Sequence, residues 1–415
     1  MKQSIKTVIF SALIGSTALV SAAHAGGFAV REQSAEGQGA SFAGIAAGGS
    51  DLSSMSFNPA TITLHKGVNI EGNAAAILPY SKATDGVSVP LVAPATGTNS
   101  GNIGKFALVP ATYASYQVNE DLFIGFSANA PFGLVTKGNA TWAGAWHGIE
   151  SDLFFLQAGP TVGYKVNDMI SVGGAVRGVY SDVLLSQYAG AAGTATLKGD
   201  DWGINYSLGL LITPTETTRI GIGFNSKTDI KYKGTARFSG APVLNSTITA
   251  KLKTPETLTI GLRQQVGEDF TVLLGFEWAN WSRMKQLNPI VTSGLATLTA
   301  TPFNWKDSYY YSIGGEYKYS EDTTLRAGFA FEDSPVPDAT RGVRIPDANR
   351  YWLSIGASHQ VNDDLKVSLG YTHIIAENGN VNLPAGAVPS IAATFKQHVN
   401  IIAVSGTYNL DKLFH

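Results

Sequence analysis

Beyond residue 25 the chain carries six histidines, His65, His147, His359, His373, His398 and His415. A hydrolase would need a serine or similar nucleophile held beside such a base. No histidine here pairs with a serine in that way, and the motif Gly-x-Ser-x-Gly does not occur. Covalent catalysis is not expected, and neither a metal nor a cofactor is called for. The side chains that remain to be placed are aromatic residues and turn formers. Trp142, Trp146, Phe154 and Phe155 either line an outer apolar groove for capture or belong to an aromatic belt at a membrane interface. Pro131-Phe132-Gly133 marks either a kink or an ordinary strand terminus, since proline cannot donate to a β ladder. Asn58-Pro59-Ala60 reads as a turn in which the asparagine side chain bonds the backbone.

The composition says which elements position these residues. Charged side chains make up 14% of the chain, against about 25% in a typical soluble domain. The first 25 residues read as a cleavable export signal: Lys2 and Lys6, an apolar stretch from Val8 to Val20, then Ala23-His24-Ala25. The apolar stretch is too short to span a membrane, so maturation is expected to leave Gly26 first. There is no cysteine, hence neither a lipoprotein anchor nor a disulfide framework. Without Lys2 and Lys6 there are 27 basic and 31 acidic side chains, with no basic run, and nucleic acid is not an expected partner. No later segment holds 18 consecutive apolar residues. For an exported, low-charge chain with 16 tyrosines, 19 phenylalanines and 7 tryptophans, the remaining way to live in a membrane is a closed β-barrel.

Period-two alternation supports an all-β transmembrane antiparallel barrel. Tyr351, Leu353, Ile355 and Ala357 alternate with Trp352, Ser354, Gly356 and Ser358. Leu325, Ala327, Phe329 and Phe331 alternate with Arg326, Gly328, Ala330 and Glu332. Ile220, Ile222 and Phe224 alternate with small or polar residues in the same way. Tight turns follow Val118, Val166, Thr213, Val266, Tyr319 and Val361. Longer links fall at about 80–103, 131–152, 189–199, 239–246, 288–303, 335–348 and 378–396. Six turns alternating with seven loops require about fourteen strands, with turns periplasmic and loops outside. Residues 26–66 show no such alternation and abound in Gly, Ala and Ser. A barrel this wide cannot fill its own lumen with side chains, so the segment is expected to plug it, the alternative being a disordered periplasmic tail. The resulting division is 1–25 signal, 26–66 hatch and 67–415 barrel.

Several ordered motifs then resemble one family. They are Gly26-Gly27-Phe28, Gly37-Gln38-Gly39-Ala40, Asn58-Pro59-Ala60, and Pro131-Phe132-Gly133-Leu134 before Trp142. Further on come Lys306-Asp307, Asp333-Ser334-Pro335-Val336-Pro337, Arg344-Ile345-Pro346-Asp347 and Arg350-Tyr351-Trp352-Leu353-Ser354. Together they resemble the FadL family of outer-membrane transporters for long-chain fatty acids and other hydrophobic compounds.

The resemblance implies a fourteen-stranded barrel with an N-terminal hatch. It also implies capture by outer loops, passage through an apolar pocket, and sideways exit where the third strand is kinked at Pro131, Phe132 and Gly133. It casts Asn58, Pro59 and Ala60 as the fastening of the hatch and Phe28 as a movable stopper. Lys306 becomes the expected partner of a ligand carboxylate. The sequence departs from the family where a head-group arginine would align with Gln187, and Arg177 on the same strand is the expected substitute. Loss of that arginine would favour neutral aromatic or aliphatic hydrocarbons over fatty acids. A general porin is the remaining rival. The expected partners are a hydrophobic small molecule, outer-membrane lipid with lipopolysaccharide, and the barrel-assembly machinery, which meets a C-terminus ending in Phe414-His415. A monomer is expected.

Overall fold

The computed structural model describes residues 26–88 and 97–414; the segment expected to be an export signal, part of the first long link and His415 lie outside them. Among the described residues the strands close into a fourteen-stranded antiparallel barrel. In chain order they are β1 (Val68–Ser88), β2 (Ala107–Gln117), β3 (Leu122–Asn129, resuming as Gly133–Lys137), β4 (Glu150–Lys165), β5 (Ile170–Tyr188) and β6 (Thr194–Thr215). Then come β7 (Thr218–Asn225 and Asp229–Phe238), β8 (Ser246–Lys253 and Thr257–Val266), β9 (Phe270–Ala279) and β10 (Ser308–Lys318). Last are β11 (Thr323–Glu332), β12 (Arg350–Gln360), β13 (Leu365–Ala376 and Gly379–Leu383) and β14 (Ile391–Asn409). β14 pairs back onto β1, from Asn69 opposite Asn409 upward, which removes any free edge. No described helix is long and apolar enough to cross a membrane.

Alternation sorts the two faces. Leu353 and Ile355 stand out toward lipid while Trp352 and Ser354 are buried inside. Leu325 and Phe329 face outward in the same way and Arg326 faces inward. Asparagines set three of the tight turns: Asn119, Asn167 and Asn362 each accept two backbone N–H bonds from just downstream. Some loop bounds differ from the sequence reading. β1 continues to Ser88 instead of ending near 80, and β6 starts at Thr194, which shortens the third loop. The last loop region contains the strand piece Gly379–Leu383, because its alternating Gly-Asn-Val-Asn-Leu pairs with β14.

Residues 26–66 lie within the lumen as a chain of short turns: a helix at Ala35–Gly39, then 3₁₀ turns at Ile45–Ala47, Ser53–Ser56 and Pro59–Leu64. The wall accommodates them by presenting glycine where they touch. Gly173, Gly209 and Gly223 lie side by side across β5, β6 and β7, and Gly356 lies opposite Gly370 across β12 and β13. A Cβ on Gly173 would stand 2.7 Å from Ala60 Cα, and one on Gly356 would stand 2.7 Å from Gly39 Cα. Side chains at this level would push the hatch off the wall.

Candidate functional site

The third strand contains the irregularity that shapes the site. Asn129 lies opposite Gln157 and Gly133 opposite Phe154, so residues 130–132 of β3 face only 155–156 of β4. One residue is therefore extra, a bulge that bends the strand at Pro131. On the other side of β3 the ladder to β2 ends at Ala111 opposite Asn129. Above that pair, Ala107–Pro110 of β2 bond to β1 alone. Pairing toward β3 resumes only at the bridge of Gly104 to Thr136. Between these limits no ladder pairs join β2 and β3, and this window in the pairing has Pro110 and Pro131 on its two sides.

The start of the hatch closes this window from within. Ala29 forms a bridge with Phe132; Val30 N–H donates to Pro131 O (2.8 Å) and Gly133 N–H donates to Phe28 O (2.9 Å). Phe28 is buried at 2% exposure in an aromatic chamber. Its ring lies 4.7 Å from that of Trp281, 5.8 Å from Trp305 and 5.9 Å from Phe132. Leu134, Phe155, Val179, Ile230 and Leu252 complete an apolar lining.

Charge pairs hold the hatch at two heights. Near the loops, Gly26 N–H donates to Glu332 Oε1 (2.9 Å) and Gly27 N–H to Asp347 Oδ2 (3.0 Å). Arg31 pairs with Glu277 (2.9 Å) and Glu332 (3.6 Å). Near the turns, Glu36 pairs with Arg326 (3.4 Å) and Lys366 (3.6 Å), and Arg326 also binds Glu316 (2.8 Å). Asn58 caps the last 3₁₀ turn, its Oδ1 accepting from Ala60 N–H (3.0 Å). Its Nδ2 donates to Ala46 O (2.7 Å) within the hatch and to Leu210 O (3.0 Å) on β6. Pro59 opens that turn as its first residue. None of the charged partners was singled out from the sequence, although Arg326 and Glu332 fall on the inward face of a strand whose other face is apolar.

The remaining sequence-derived residues scatter. Lys306 is 55% exposed and its Nζ bonds both oxygens of Asp333 (3.1 Å), so its charge is already taken. Asp307 turns instead to Trp278 Nε1 and Ser282 N–H. Arg177 is buried below the window; it donates to Ser127 Oγ (3.2 Å) and Ser207 Oγ (2.9 Å), and Nη2 has no partner among the described residues. The four aromatic residues do not form one groove. Trp142 packs against Phe395 in a loop cluster (6.0 Å), Trp146 against Tyr188 (4.5 Å) and Phe155 against Phe132 in the chamber (5.5 Å). Phe154, one residue from Phe155, faces the opposite way beside Tyr180 (6.4 Å). Gln187 does have a cation next to it: Arg344, from the loop before β12, donates Nη2–H to its Oε1 (3.1 Å). Only the space around Gln187 links these two residues, which lie far apart in sequence.

The family described as outer membrane protein transport protein (OMPP1/FadL/TodX) matches residues 16–410. The chain belongs to this family. The long-chain fatty acid transport protein of Escherichia coli K12 is 27% identical, covering 90% of this chain and 93% of that protein. The 47 kDa outer membrane protein of Pasteurella multocida is 28% identical, covering 89% and 91%. Among solved structures, a Pseudomonas aeruginosa FadL homologue aligns with a TM-score of 0.85 at 20% identity, over 93% of this chain and 100% of that one. The Pseudomonas putida toluene transporter TodX aligns with a TM-score of 0.64 at 19% identity, over 85% and 92%. These two structures share the fold.

The hatch of this FadL-family barrel is expected to respond to pH. Burial pushes the Glu32 carboxyl up to about 7, and both its oxygens lack a partner among the described residues. Burial and the nearby Glu36 push Asp51 up to about 6. Burial opposes the charge on Glu36 as well, but Arg326 and Lys366 hold it well below the usual carboxylate range. Glu32 and Asp51 thus bind protons more tightly in the seated hatch than in an exposed one. Their contribution to seating is fully present below about pH 4 and is lost as pH rises through 6 and 7. Hydrogen exchange of residues 28–66, corrected for intrinsic rates, should slow on going from pH 8 to pH 5.5. Faster corrected exchange at pH 5.5 would contradict this.

Proposed function

We propose that this outer-membrane protein passes hydrophobic molecules, long-chain fatty acids first among them, by passive diffusion through the hatch-gated barrel. The molecule enters among the outer loops, takes the place of Phe28 in the aromatic chamber, and leaves sideways through the window between β2 and β3. The observation that carries this reading is the pairing of Phe28–Val30 with the bulge at Pro131–Gly133. A single segment thereby blocks both the chamber and its side exit. Sideways delivery suits such cargo, because an apolar molecule moving from chamber to lipid is never hydrated. A hatch buried across the lumen also argues against a general porin.

An acid head group is supported by two inward cations with no carboxylate partner among the described residues, Arg177 and Arg344. Neutral hydrocarbons are the second reading, favoured by an apolar chamber and by the engagement of Lys306 with Asp333. Uptake of labelled oleate and, separately, of toluene tests both readings. The host is a Gram-negative strain lacking its own transporter, with and without this protein. Oleate uptake supports the first reading, and toluene uptake alone supports the second. Neither, in cells shown to carry folded barrel, would sink the proposal.

A further inference from the structure

The outer wall of the barrel carries a compact basic patch where β7 and β8 approach the loops. Ile230, Tyr232 and Leu252 point inward and are buried against the aromatic chamber. Successive side chains of a strand point to opposite faces. Lys231, Lys233, Lys251 and Lys253 are accordingly all exposed on the outer wall. The pairing sets Lys231 directly opposite Lys251, and Lys253 opposite Asp229. Lysines two apart along a strand are separated by about 7 Å, and those facing across strands by about 5 Å.

The chain itself compensates little of this charge. Among the described residues Lys231, Lys233 and Lys251 form no ion pair. Asp229 is divided between Lys227 (2.7 Å) and Lys253 (3.9 Å). Asp200 lies opposite Lys233 across β6 and β7 but makes no ion pair with it. Asp201 accepts the backbone N–H of Lys231 (3.0 Å), not an ammonium. Like charges directly opposite each other destabilise a sheet, and an anion held from outside would relieve that repulsion.

The height of the patch identifies the anion. On β6, beside β7, Leu208, Tyr206, Ile204 and Trp202 form an exposed apolar band that suits lipid. Trp202 is its upper end, with its ring 5.1 Å from that of Tyr180, and such aromatic residues mark a membrane interface. The pairing of Asp200 with Lys233 makes Trp202 level with Lys231. Lys231, Lys251 and Lys233 therefore lie at and above the end of the apolar band, on the side of the loops. In the outer leaflet of an outer membrane, the layer just above the acyl chains holds the phosphates of lipid A. Phosphate oxygens are strong acceptors for ammonium groups, and a basic patch beside a bilayer attracts anionic head groups.

We infer that the lysine patch on β7 and β8 binds the phosphates of lipid A in the outer leaflet. The two strands that help line the chamber from within are thereby tied to the leaflet from without. The inference needs only an outer-membrane barrel and does not depend on which cargo it passes.

The test uses the whole protein in a neutral detergent, with binding of bisphosphoryl lipid A and of its dephosphorylated form measured by native mass spectrometry. Heat-modifiable migration on gels checks that each variant is folded. Lys231→Gln with Lys251→Gln is expected to weaken binding of bisphosphoryl lipid A about tenfold or more. Lys231→Arg with Lys251→Arg should keep it. Lys66→Gln with Lys318→Gln removes as much charge near the periplasmic turns and should leave binding unchanged. The dephosphorylated form should bind weakly and equally to all. Undiminished binding in the folded Lys231/Lys251 glutamine variant would overturn the assignment, as would an equal loss in the Lys66/Lys318 variant. Natural protein that holds both forms of the lipid equally would show that acyl chains alone are recognised. Inorganic phosphate displacing the lipid at equal concentration would show a free-anion site instead, and either result would also overturn it.

Discussion

A chain carrying Ala29→Cys and Phe132→Cys is expected to lose hydrophobe uptake when oxidised and to regain it on reduction. The two residues face each other across an antiparallel bridge whose hydrogen bonds lie on either side of the pair, from Val30 to Pro131 and from Gly133 to Phe28. In such a non-bonded pair the Cα atoms approach to about 4.5 Å, within the span of about 4.4–6.8 Å that a disulfide bridges. The natural chain has no cysteine, so no other disulfide competes. The cross-link would fix Phe28 in the chamber and the hatch against the window. Uptake should fall by at least about tenfold, as expected when a gating segment is locked shut. The comparison is made in the same cells before and after a reductant. Unchanged uptake in fully cross-linked protein would show that this segment does not move during transport.

Arg326→Met is expected to loosen the hatch while the barrel stays closed. Arg326 is buried and joins Glu36 of the hatch to Glu316 of β10, with Ser358 on β12 as a further acceptor. Methionine fills much of the same volume but leaves two buried carboxylates without their shared cation. Breaking a buried pair by removing one partner costs about 3–5 kcal/mol; Lys366 beside Glu36 and Arg263 beside Glu316 will offset part of that. The barrel ladder does not pass through this side chain. Limited proteolysis should therefore cut within residues 26–66 of the variant, with heat-modifiable migration retained. A hatch as resistant as the natural one would contradict this.

The sequence shows the strands and their number because lipid faces one side of each, so Leu353 and Ile355 must alternate with Trp352 and Ser354. The turns are equally legible, since Asn119, Asn167 and Asn362 act within three residues of themselves. Pro131 marks the kink, but the extra residue opposite 155–156 depends on where β4 pairs, which no local pattern states. Contacts across the lumen are the least legible. Glu332 meets Gly26 from 306 residues away, and Gln187 meets Arg344 from 157. Adjacency misleads at strands and their ends: Phe154 and Phe155 face opposite ways, and Lys306 bonds Asp333 rather than its neighbour Asp307.

Lateral exit is tested most directly by sealing the window. Deleting Pro131 alone removes the extra residue, so Phe132 and Gly133 can continue the ladder along β4 in the register of Leu122–Asn129. Labelled oleate uptake is then measured in cells carrying equal amounts of folded natural and sealed barrel. Exit through the wall predicts that the sealed barrel takes up no more oleate than cells without the protein. Uptake equal to that of the natural barrel would mean that cargo leaves by another way, through the hatch and into the periplasm.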